Sequence, residues 1–240
     1  MGQINPYDDL NRSKKYVMEG RHRECVGGLW DKLGQLPMEF LLDRGLSRDD
    51  KVIDIGCGCL RVGVHLIAYL ESGNYFGTDI SEDLLKAGYE VELKNAGLID
   101  KQPIKNLSCG ADFTFKQFGE QFDVAIAQSL FTHLPLNHLK LCLYNLYESM
   151  ASDACFYATF FLASDLNEWA ASLPHSPGGI VTNPCSDPYH YTIEDLESVA
   201  STLGWEATLI GDWGHPRDQK MVVFHKADRK TGGLATEFRT

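Results

Sequence analysis

Residues 52–63 read Val52-Ile53-Asp54-Ile55-Gly56-Cys57-Gly58-Cys59-Leu60-Arg61-Val62-Gly63. The apolar run at 52–55 predicts a short strand that breaks into a glycine turn, and a second apolar run downstream ends at Asp79. A glycine turn that opens a helix, with an acid at the end of the next strand, is how an open α/β sheet holds a nucleoside. The segment from residue 52 to Asp79 therefore predicts a nucleoside-binding site.

The glycine spacing narrows the choice of nucleoside. In the dinucleotide fingerprint G-x-G-x-x-G, the third glycine lets the helix pack on the sheet while the helix N-terminus faces a pyrophosphate. Here the third glycine, Gly63, falls two positions late. Asp79 follows Gly58 by 21 positions, against about 20 for an acid that binds ribose hydroxyls. The ribose-binding part of the signal is therefore present, and the pyrophosphate part is weak.

Three segments, in order, resemble the motifs of the class I S-adenosylmethionine-dependent methyltransferases. The first motif resembles residues 52–58, the second resembles Tyr75-Phe76-Gly77-Thr78-Asp79-Ile80, and the fourth resembles Phe122-Asp123-Val124-Ala125-Ile126-Ala127-Gln128-Ser129. The resemblance runs from about Lys51 to Lys226. It implies S-adenosyl-L-methionine as cofactor and a Rossmann-like α/β fold. In that fold a seven-stranded, mostly parallel sheet has the order 3-2-1-4-5-7-6 and helices on both faces.

Composition and charge exclude several other classes of protein. The 240 residues, 44% of them hydrophobic and 23% charged, suit a single α/β domain. The formal charge of −11 argues against a protein that follows a nucleic acid backbone, because such proteins cluster Lys and Arg. No apolar run reaches the roughly 20 residues of a membrane helix. We expect a cytoplasmic monomer or homodimer with a small-molecule acceptor and neither nucleic acid nor membrane as a partner.

The seven cysteines are scattered, which fits a reducing compartment better than a disulfide framework. Cys57 and Cys59 find no second Cys or His pair at standard spacing. A tetrahedral metal site needs such a second pair. We therefore predict no metal.

Strand and helix patterns alternate along the chain, which predicts a mostly parallel sheet with helices on both faces. The predicted strands are residues 51–55, 74–78, 107–112, 122–127, 154–162, 205–210 and 221–225. The predicted helices are residues 60–70, a helix that Ser81 caps and that continues to Lys94, and residues 135–150.

Two segments do not follow this alternation of strands and helices. Residues 1–42 form a mixed helical arm or lid. The Pro- and Gly-rich segment at about 164–191 follows the fifth strand and is interpreted as an inserted cap. We therefore predict a methyltransferase domain over residues 43–227 that carries this cap, and a flexible polar tail over residues 228–240.

Ligands of open parallel sheets bind beyond the carboxyl ends of the strands. We expect Asp54 and the backbone of the glycine turn to hold the amino-acid end of the cofactor, and Asp79 to bind its ribose. Asp112 and Phe113 resemble the family's adenine-contacting pair, and Gln128 follows the fourth strand beside the sulfonium end. The predicted cofactor residues are Asp54, Gly56, Cys57, Gly58, Asp79, Ile80, Asp112, Phe113 and Gln128.

Residues 131–135 follow Gln128 and resemble the family's stretch beneath the transferred methyl. His133 is a candidate general base there, because an unperturbed imidazole titrates near neutrality. A structural histidine at a helix start fits the pattern equally well. Orientation of two bound reactants supplies about 7–11 kcal/mol, whereas a positioned base adds about 10²- to 10⁴-fold. Many methyl transfers could thus run mainly on proximity.

In the family topology, the connection between the sixth and seventh strands emerges on the cofactor side of the sheet. It carries Trp213, His215 and Arg217 within five residues, where an ordinary hairpin needs only small turn formers. We predict that His215 is catalytic and that Trp213 and Arg217 contact the acceptor.

The cap adds a further aromatic cluster near its end. We place Tyr189 and His190 among the substrate-binding residues, because they could meet the loop at Trp213 over the cavity. An aromatic plug under the insert explains the same residues equally well.

These features predict methyl transfer by in-line displacement to an O or N atom of a polar small molecule, of natural product or saccharide type. A catalytically silent regulatory or scaffold module that binds the same cofactor stays open as an alternative. Aminopropyl transfer is a second alternative, although its polyamine substrates favour an acidic pocket and Gln128-Ser129 supplies no carboxylate. A nicotinamide enzyme is disfavoured by the glycine spacing.

Overall fold

The computed structural model describes residues 9–227. The strands are β1 (Val52–Ile55), β2 (Tyr75–Asp79), β3 (Leu107–Cys109), β4 (Phe122–Ala127), β5 (Met150–Leu162), β6 (Leu173–His175), β7 (Ile180–Thr182), β8 (His190–Tyr191), β9 (Trp205–Gly211) and β10 (Lys220–Lys226). The α-helices are α1 (Leu10–Met18), α2 (His22–Cys25), α3 (Trp30–Asp43), α4 (Gly63–Tyr69), α5 (Glu82–Ala87), α6 (Leu136–Tyr147), α7 (Leu166–Trp169) and α8 (Ile193–Ser201). None of the helices within residues 9–227 is long and apolar enough to cross a membrane.

The main sheet has the strand order β3-β2-β1-β4-β5-β10-β9. Strands β1 to β5 pair in parallel, whereas β10 runs antiparallel to both β5 and β9. The short strand β8 adds a parallel pairing at the end of β5. The predicted fold is therefore confirmed, including the order 3-2-1-4-5-7-6 and the reversed last strand.

Several element boundaries differ from the predicted ones; β5, for example, begins at Met150 rather than at residue 154, and the helix predicted over residues 135–150 spans Leu136–Tyr147. The helix predicted from residue 60 begins at Gly63, because Leu60 adopts a left-handed conformation (φ +64°). Strand β3 ends at Cys109 rather than at residue 112, and Phe113 turns the chain with φ +53°. The helix capped by Ser81 becomes a π-helical turn at Gly88–Leu93.

Side chains of β5 alternate between the two faces of the sheet, as strand geometry requires. Phe156 and Phe160 pack into a core with helices α6 and α8, whereas Tyr157 packs into a second core with helices α3 and α4. The fifth strand is thus covered on both faces, which explains why residues 154–162 are so rich in aromatic side chains.

The arm and the cap each add structure around this sheet. Helix α3 of the arm contributes Met38 and Leu41 to the second core. The predicted cap segment contains α7, the β6–β7 hairpin and β8. The predicted tail, residues 228–240, lies outside the described residues.

Candidate active site

A cavity of about 390 Å³ lies where the carboxyl ends of β1, β2 and β4 meet, and a smaller cavity of about 40 Å³ adjoins it. The nine predicted cofactor residues all line one or both of these cavities. The larger is lined by Gly56, Gly58, Asp79, Ile80, Asp112, Phe113 and Gln128, and the smaller by Asp54, Gly56, Cys57, Gly58 and Gln128. The structure therefore brings together residues from four separate segments of the chain.

The glycine turn needs its glycines for conformation and for space. Gly56 and Gly58 have φ values of +76° and +54°, a region that side chains with a Cβ rarely adopt. A Cβ on Gly58 would also stand 2.8 Å from Cγ1 of Val26, a residue of the arm. The turn is therefore built so that the arm can lie directly on it.

Asp79 ends β2 beside the glycine turn. Its two carboxylate oxygens accept hydrogen bonds from the backbone N–H groups of Gly58 and Ser81, each at 2.8 Å. Burial raises the pKa of Asp79, and these backbone hydrogen bonds oppose that shift. A carboxylate has about four acceptor positions, so Asp79 keeps capacity for the hydroxyl groups of a ribose.

Asp54 is buried at the floor of the smaller cavity and accepts a 2.9 Å hydrogen bond from the hydroxyl of Tyr75. Burial raises the pKa of Asp54 to about 7, against which the Tyr75 hydrogen bond acts. Gly63 makes this contact possible, because a Cβ at that position would stand 2.7 Å from the Tyr75 hydroxyl oxygen. The late third glycine thus holds the acid of the first motif in place.

Gln128 lies at the end of β4 and lines both cavities. Its side chain is 8% exposed, and neither its amide nitrogen nor its amide oxygen has a hydrogen-bond partner within residues 9–227. A buried primary amide without partners costs about 1–3 kcal/mol. This residue is therefore suited to a ligand that supplies a donor and an acceptor of its own.

A hydrogen-bond network holds the turn that follows Gln128. The backbone N–H of Ser129 donates to Oγ1 of Thr159 at 2.7 Å, and both hydroxyl groups donate to Oε1 of Gln219, at 2.9 and 2.8 Å. Gln219 is 2% exposed. The connection between β9 and β10 therefore supports the site through Gln219, a residue that no sequence pattern singled out.

The arm covers the cavity from the other side. Ser13, Cys25 and Val26 line the cavity, and the Ser81 hydroxyl donates to Oγ of Ser13 at 2.9 Å. Arg61, from the segment after the glycine turn, lines both cavities and donates to the carbonyl oxygen of Val26 at 2.9 Å. The guanidinium thus joins the arm to the cavity wall.

A second cluster fastens the arm to the π-helical turn. Glu92 is 4% exposed and its carboxylate lies 2.6 Å from Nε2 of His22. Nε and Nη2 of Arg23 also donate to Glu92, each at 2.7 Å, while the guanidinium lies over the ring of Trp30. We call these residues, His22, Arg23 and Glu92, the arm latch.

His133, which the sequence offered as a candidate base, lines the larger cavity. Its Nδ1 lies 2.6 Å from Oδ1 of Asp187, a residue of the cap. His138 of α6 lines the same cavity, and its Nδ1 has no hydrogen-bond partner within the described part of the chain. Asp187 and His138 were both absent from the predicted site.

The other predicted acceptor residues do not line either cavity. In the connection between β9 and β10, the ring of Trp213 packs edge-on against Phe40 of α3 and stacks on His215. His215 is 4% exposed, and burial lowers its pKa to about 3. Arg217 donates to the carbonyl oxygen of Gly27 in the arm at 2.6 Å. This loop packs against the arm because burying the indole against α3 removes apolar surface from water.

The cap residues are likewise turned to other partners. His190 is fully buried and hydrogen-bonds Thr182 and the carbonyl oxygen of Trp169. Tyr189 stacks on Tyr191, which packs against the main core. The aromatic plug under the insert is therefore the arrangement found at Tyr189 and His190.

Arg61 is the missed residue that the sequence could have revealed, because a basic side chain stands inside the motif directly after the glycine turn. Asp187, Glu92 and Gln219 left no such signal. Each acts on the site through a contact between segments far apart in the chain.

A nucleoside-sized cavity at the carboxyl ends of parallel strands, with an acid at the end of β2 and a glycine turn at the end of β1, defines an α/β enzyme that binds a nucleoside cofactor. Residues 53–156 match a family model described as a methyltransferase domain. The match runs from β1 into β5, over less than half of the chain, and identifies that segment as a methyltransferase domain, for which S-adenosylmethionine is the cofactor.

Solved structures of such enzymes share the fold at low sequence identity. One is an S-adenosylmethionine-dependent methyltransferase from Clostridium acetobutylicum, with a TM-score of 0.61, 12% identity and coverage of 90% of this chain and 100% of that one. Another is magnesium protoporphyrin IX methyltransferase from Synechocystis with bound S-adenosylhomocysteine. It has a TM-score of 0.60 and 14% identity, and the match covers 91% of this chain and 100% of that one. A third is the CcbJ methyltransferase from Streptomyces caelestis, with a TM-score of 0.58 and 16% identity. That match covers 84% of this chain and 98% of the other.

Proposed function

We propose that this enzyme transfers the methyl group of S-adenosylmethionine to an oxygen or nitrogen atom of a polar small molecule, of natural product or saccharide type. The observation that carries the proposal is Gln128, whose buried amide lacks partners within residues 9–227 and lines both cavities. The cavity walls around it combine the His133 imidazole with hydroxyl groups rather than an acidic cluster for polyamines. The bound cofactor supplies an electrophilic methyl group on a sulfonium sulfur.

The residues of the two cavities suit the parts of that cofactor. Asp79 accepts hydrogen bonds from the ribose hydroxyls, and Phe113 with Asp112 contacts the adenine. At the smaller cavity, Asp54 and Arg61 present a carboxyl and a guanidinium, which matches the ammonium and carboxylate of an amino acid. At the junction of the two cavities, the cofactor supplies the hydrogen-bond partners that the Gln128 amide lacks.

We assign the arm the role of a lid and residues 43–227 the role of the catalytic domain. Ser13, Cys25 and Val26 form one wall of the cavity, so movement of the arm would widen the path by which the cofactor leaves. The arm latch and the Arg217 contact to Gly27 hold it shut. Such a lid excludes water from the sulfonium and orients the acceptor, which is the main source of rate in a transfer that runs on proximity.

Methyl-labelled S-adenosylmethionine, incubated with the enzyme and metabolite extracts, tests the transfer by mass spectrometry of labelled products. Gln128→Leu is the matched variant, because Leu has a similar size and no polar atoms to satisfy. We expect it to weaken binding of S-adenosylhomocysteine about 10- to 100-fold in calorimetry, as for the loss of one or two hydrogen bonds. The free protein should not lose stability.

Asp79→Ala tests the ribose contact in the same assay. A labelled product that forms at the normal rate with this variant at low cofactor concentration would show that Asp79 does not hold the ribose. Binding of the cofactor without a labelled product from any acceptor class would overturn the proposed transfer and favour a silent binding module.

A further inference from the structure

Ser129 occupies a strained turn directly after β4. Its φ is +57°, in the left-handed region that residues with a Cβ rarely adopt. Successive side chains of a strand point to opposite faces, yet Gln128, Ser129 and Leu130 all line the larger cavity. The left-handed conformation turns the chain sharply, so that consecutive residues face the same cavity. The turn at Ser129 therefore determines how Gln128 is presented to a ligand.

The same turn places Leu130 on the glycine turn that follows β1. A Cβ on Gly56 would stand 2.8 Å from Cδ1 of Leu130. The Leu130 side chain thus fills the space that a side chain at position 56 would need. A change of φ at Ser129 would therefore disturb the packing between the end of β4 and the glycine turn.

Each polar group of Ser129 has a hydrogen-bond partner that opposes such a change. Its N–H donates to Oγ1 of Thr159 at 2.7 Å, and its hydroxyl donates to Oε1 of Gln219 at 2.9 Å. Its carbonyl oxygen accepts from the hydroxyl of Thr132 at 3.0 Å. The Thr159 hydroxyl also donates to Oε1 of Gln219, at 2.8 Å. One oxygen of Gln219 therefore holds both the Ser129 hydroxyl and the group that receives the Ser129 N–H.

Hydrogen-bond chemistry makes the amide oxygen of Gln219 the essential atom of this network. An amide oxygen carries two lone pairs and accepts both hydroxyl protons, so no hydroxyl proton in the network lacks an acceptor. Gln219 is 2% exposed and Thr159 is fully buried. A buried hydroxyl that loses its acceptor destabilises the conformation that buries it. Loss of this one oxygen therefore removes the support of the strained turn.

Trp213 in turn fixes the backbone of Gln219. Its indole Nε1 donates to the carbonyl oxygen of Gln219 at 2.9 Å, and its ring packs edge-on against Phe40 of α3. Gln219 also directly precedes β10, which pairs with β5. The backbone of Gln219 is therefore held by the sheet on one side and by the indole on the other.

We propose that Gln219 is a positioning residue for cofactor binding, which rests on the proposed contact between Gln128 and the cofactor. Gln219 lines neither of the two cavities, so it acts through the turn. It keeps Ser129 left-handed and thereby holds the Gln128 amide where the cofactor meets it. Without Gln219 the turn relaxes toward negative φ, and the binding-competent turn becomes a minor conformation. The apparent affinity then falls in proportion to the population of that conformation.

Calorimetry of S-adenosylhomocysteine binding tests this role without a methyl acceptor. Gln219→Met removes the accepting oxygen at similar size, and we expect it to weaken binding about 10-fold, the effect of one strained backbone residue. Gln219→Glu keeps an accepting oxygen in either protonation state and should bind within about threefold of the unchanged protein. Asp212→Ala is the control, because this exposed side chain of the same loop accepts only from the N–H of Gly214. It should leave binding unchanged.

Double variants separate positioning from a general loss of stability. In the Gln128→Leu background, Gln219→Met should weaken binding by no more than about twofold, because the amide that the turn positions is absent. In the Ser129→Gly background its effect should be equally small, since glycine adopts positive φ without support. Ser129→Ala keeps the strain and loses the hydroxyl, so it should bind about fivefold more weakly than Ser129→Gly. That comparison decides the question even if Gln219→Met fails to fold.

Backbone NMR chemical shifts of Ser129 report its φ independently of binding. We expect the signature of positive φ in the unchanged protein and its loss in Gln219→Met. Retained positive φ in Gln219→Met, or losses in binding that add between Gln219→Met and Gln128→Leu, would overturn the inference and leave methyl transfer intact. Absence of a labelled product from any acceptor would overturn the proposed transfer, whereas coupled losses in cofactor binding would still support the role of Gln219.

Discussion

Replacing Gly63 by alanine should destabilise the protein, although it should favour helix α4. Alanine in place of glycine stabilises a helix interior by up to about 1 kcal/mol. In this structure a Cβ at Gly63 would stand 2.7 Å from Oη and 2.9 Å from Cζ of Tyr75, both closer than real Cβ atoms approach. Tyr75 is 1% exposed and cannot swing into solvent. Propensity and packing therefore predict opposite signs for one substitution.

The expected magnitude follows from two contributions. Overpacking a filled core costs about 1–3 kcal/mol. Moving the Tyr75 hydroxyl away from Asp54 removes a buried hydrogen bond to a carboxyl group, which contributes about 1.5–3 kcal/mol when the acceptor is ionised. Set against the gain in helix propensity, Gly63→Ala should lower the free energy of unfolding by about 1.5–5 kcal/mol at a pH above 7, where Asp54 is mostly ionised.

A double-mutant cycle with Tyr75→Phe isolates the cause. Removing the hydroxyl removes the nearest atom that the new Cβ meets, so Gly63→Ala should cost less in the Tyr75→Phe background by about 1 kcal/mol or more. Urea unfolding, followed by circular dichroism, measures all four proteins. Effects that add within about 0.5 kcal/mol, or a stabilising Gly63→Ala, would refute the claim that the late glycine makes room for the Tyr75 hydroxyl.

Three further perturbations test the site and the arm. Burial raises the pKa of Asp54 from 3.8 to about 7, so between these pH values the folded protein binds a proton that the unfolded chain does not, and its stability falls as pH rises. Asparagine at this position cannot titrate, so the free energy of unfolding of Asp54→Asn should rise relative to that of the unchanged protein by up to about 1.4 kcal/mol per pH unit between about pH 4 and 7, measured by urea unfolding. The pKa of His215 is lowered from 6.5 to about 3, so its neutral form contributes stability that is lost as pH falls below 6.5. In His215→Phe the free energy of unfolding should fall less steeply below pH 6.5, and the same steepness as in the unchanged protein would contradict this prediction. Glu92→Gln should open the arm latch and speed alkylation of buried Cys25, read by mass spectrometry, with S-adenosylhomocysteine protecting Cys25 and exposed Cys185 as the control.

The sheet was predictable because its information is local. Apolar runs, the cap at Ser81 and the spacing from Gly58 to Asp79 can each be recognised within a short stretch of neighbouring residues. The predicted cofactor residues were taken from the ends of those strands, and they line the two cavities. The contacts that complete the site cross much longer separations. His22 meets Glu92 across 70 positions and Arg217 meets Gly27 across 190, and neither pair leaves a periodic signal.

The loop at Trp213 shows that chemically rich residues can have structural partners outside the cavities. Indole, imidazole and guanidinium groups in one loop suggested an acceptor site, but each of them has an ordinary packing or hydrogen-bonding partner in the arm or in the loop itself. A side chain with a satisfied partner has less to offer a ligand than one without. Within residues 9–227, Nε2 of His215 and both polar atoms of the Gln128 amide lack hydrogen-bond partners, but only Gln128 lines the cavities, so it is the better guide to the site.

The glycines of the first motif have separate functions, which explains their unusual spacing. Gly58 leaves room for Val26, so the arm lies on the turn, and its N–H donates to Asp79. Gly63 leaves room for the Tyr75 hydroxyl, which holds Asp54 at the smaller cavity. A third glycine two residues earlier would stand at Arg61, the side chain that joins the arm to both cavities. The late glycine therefore leaves a basic residue at a position from which it contacts the arm and lines both cavities.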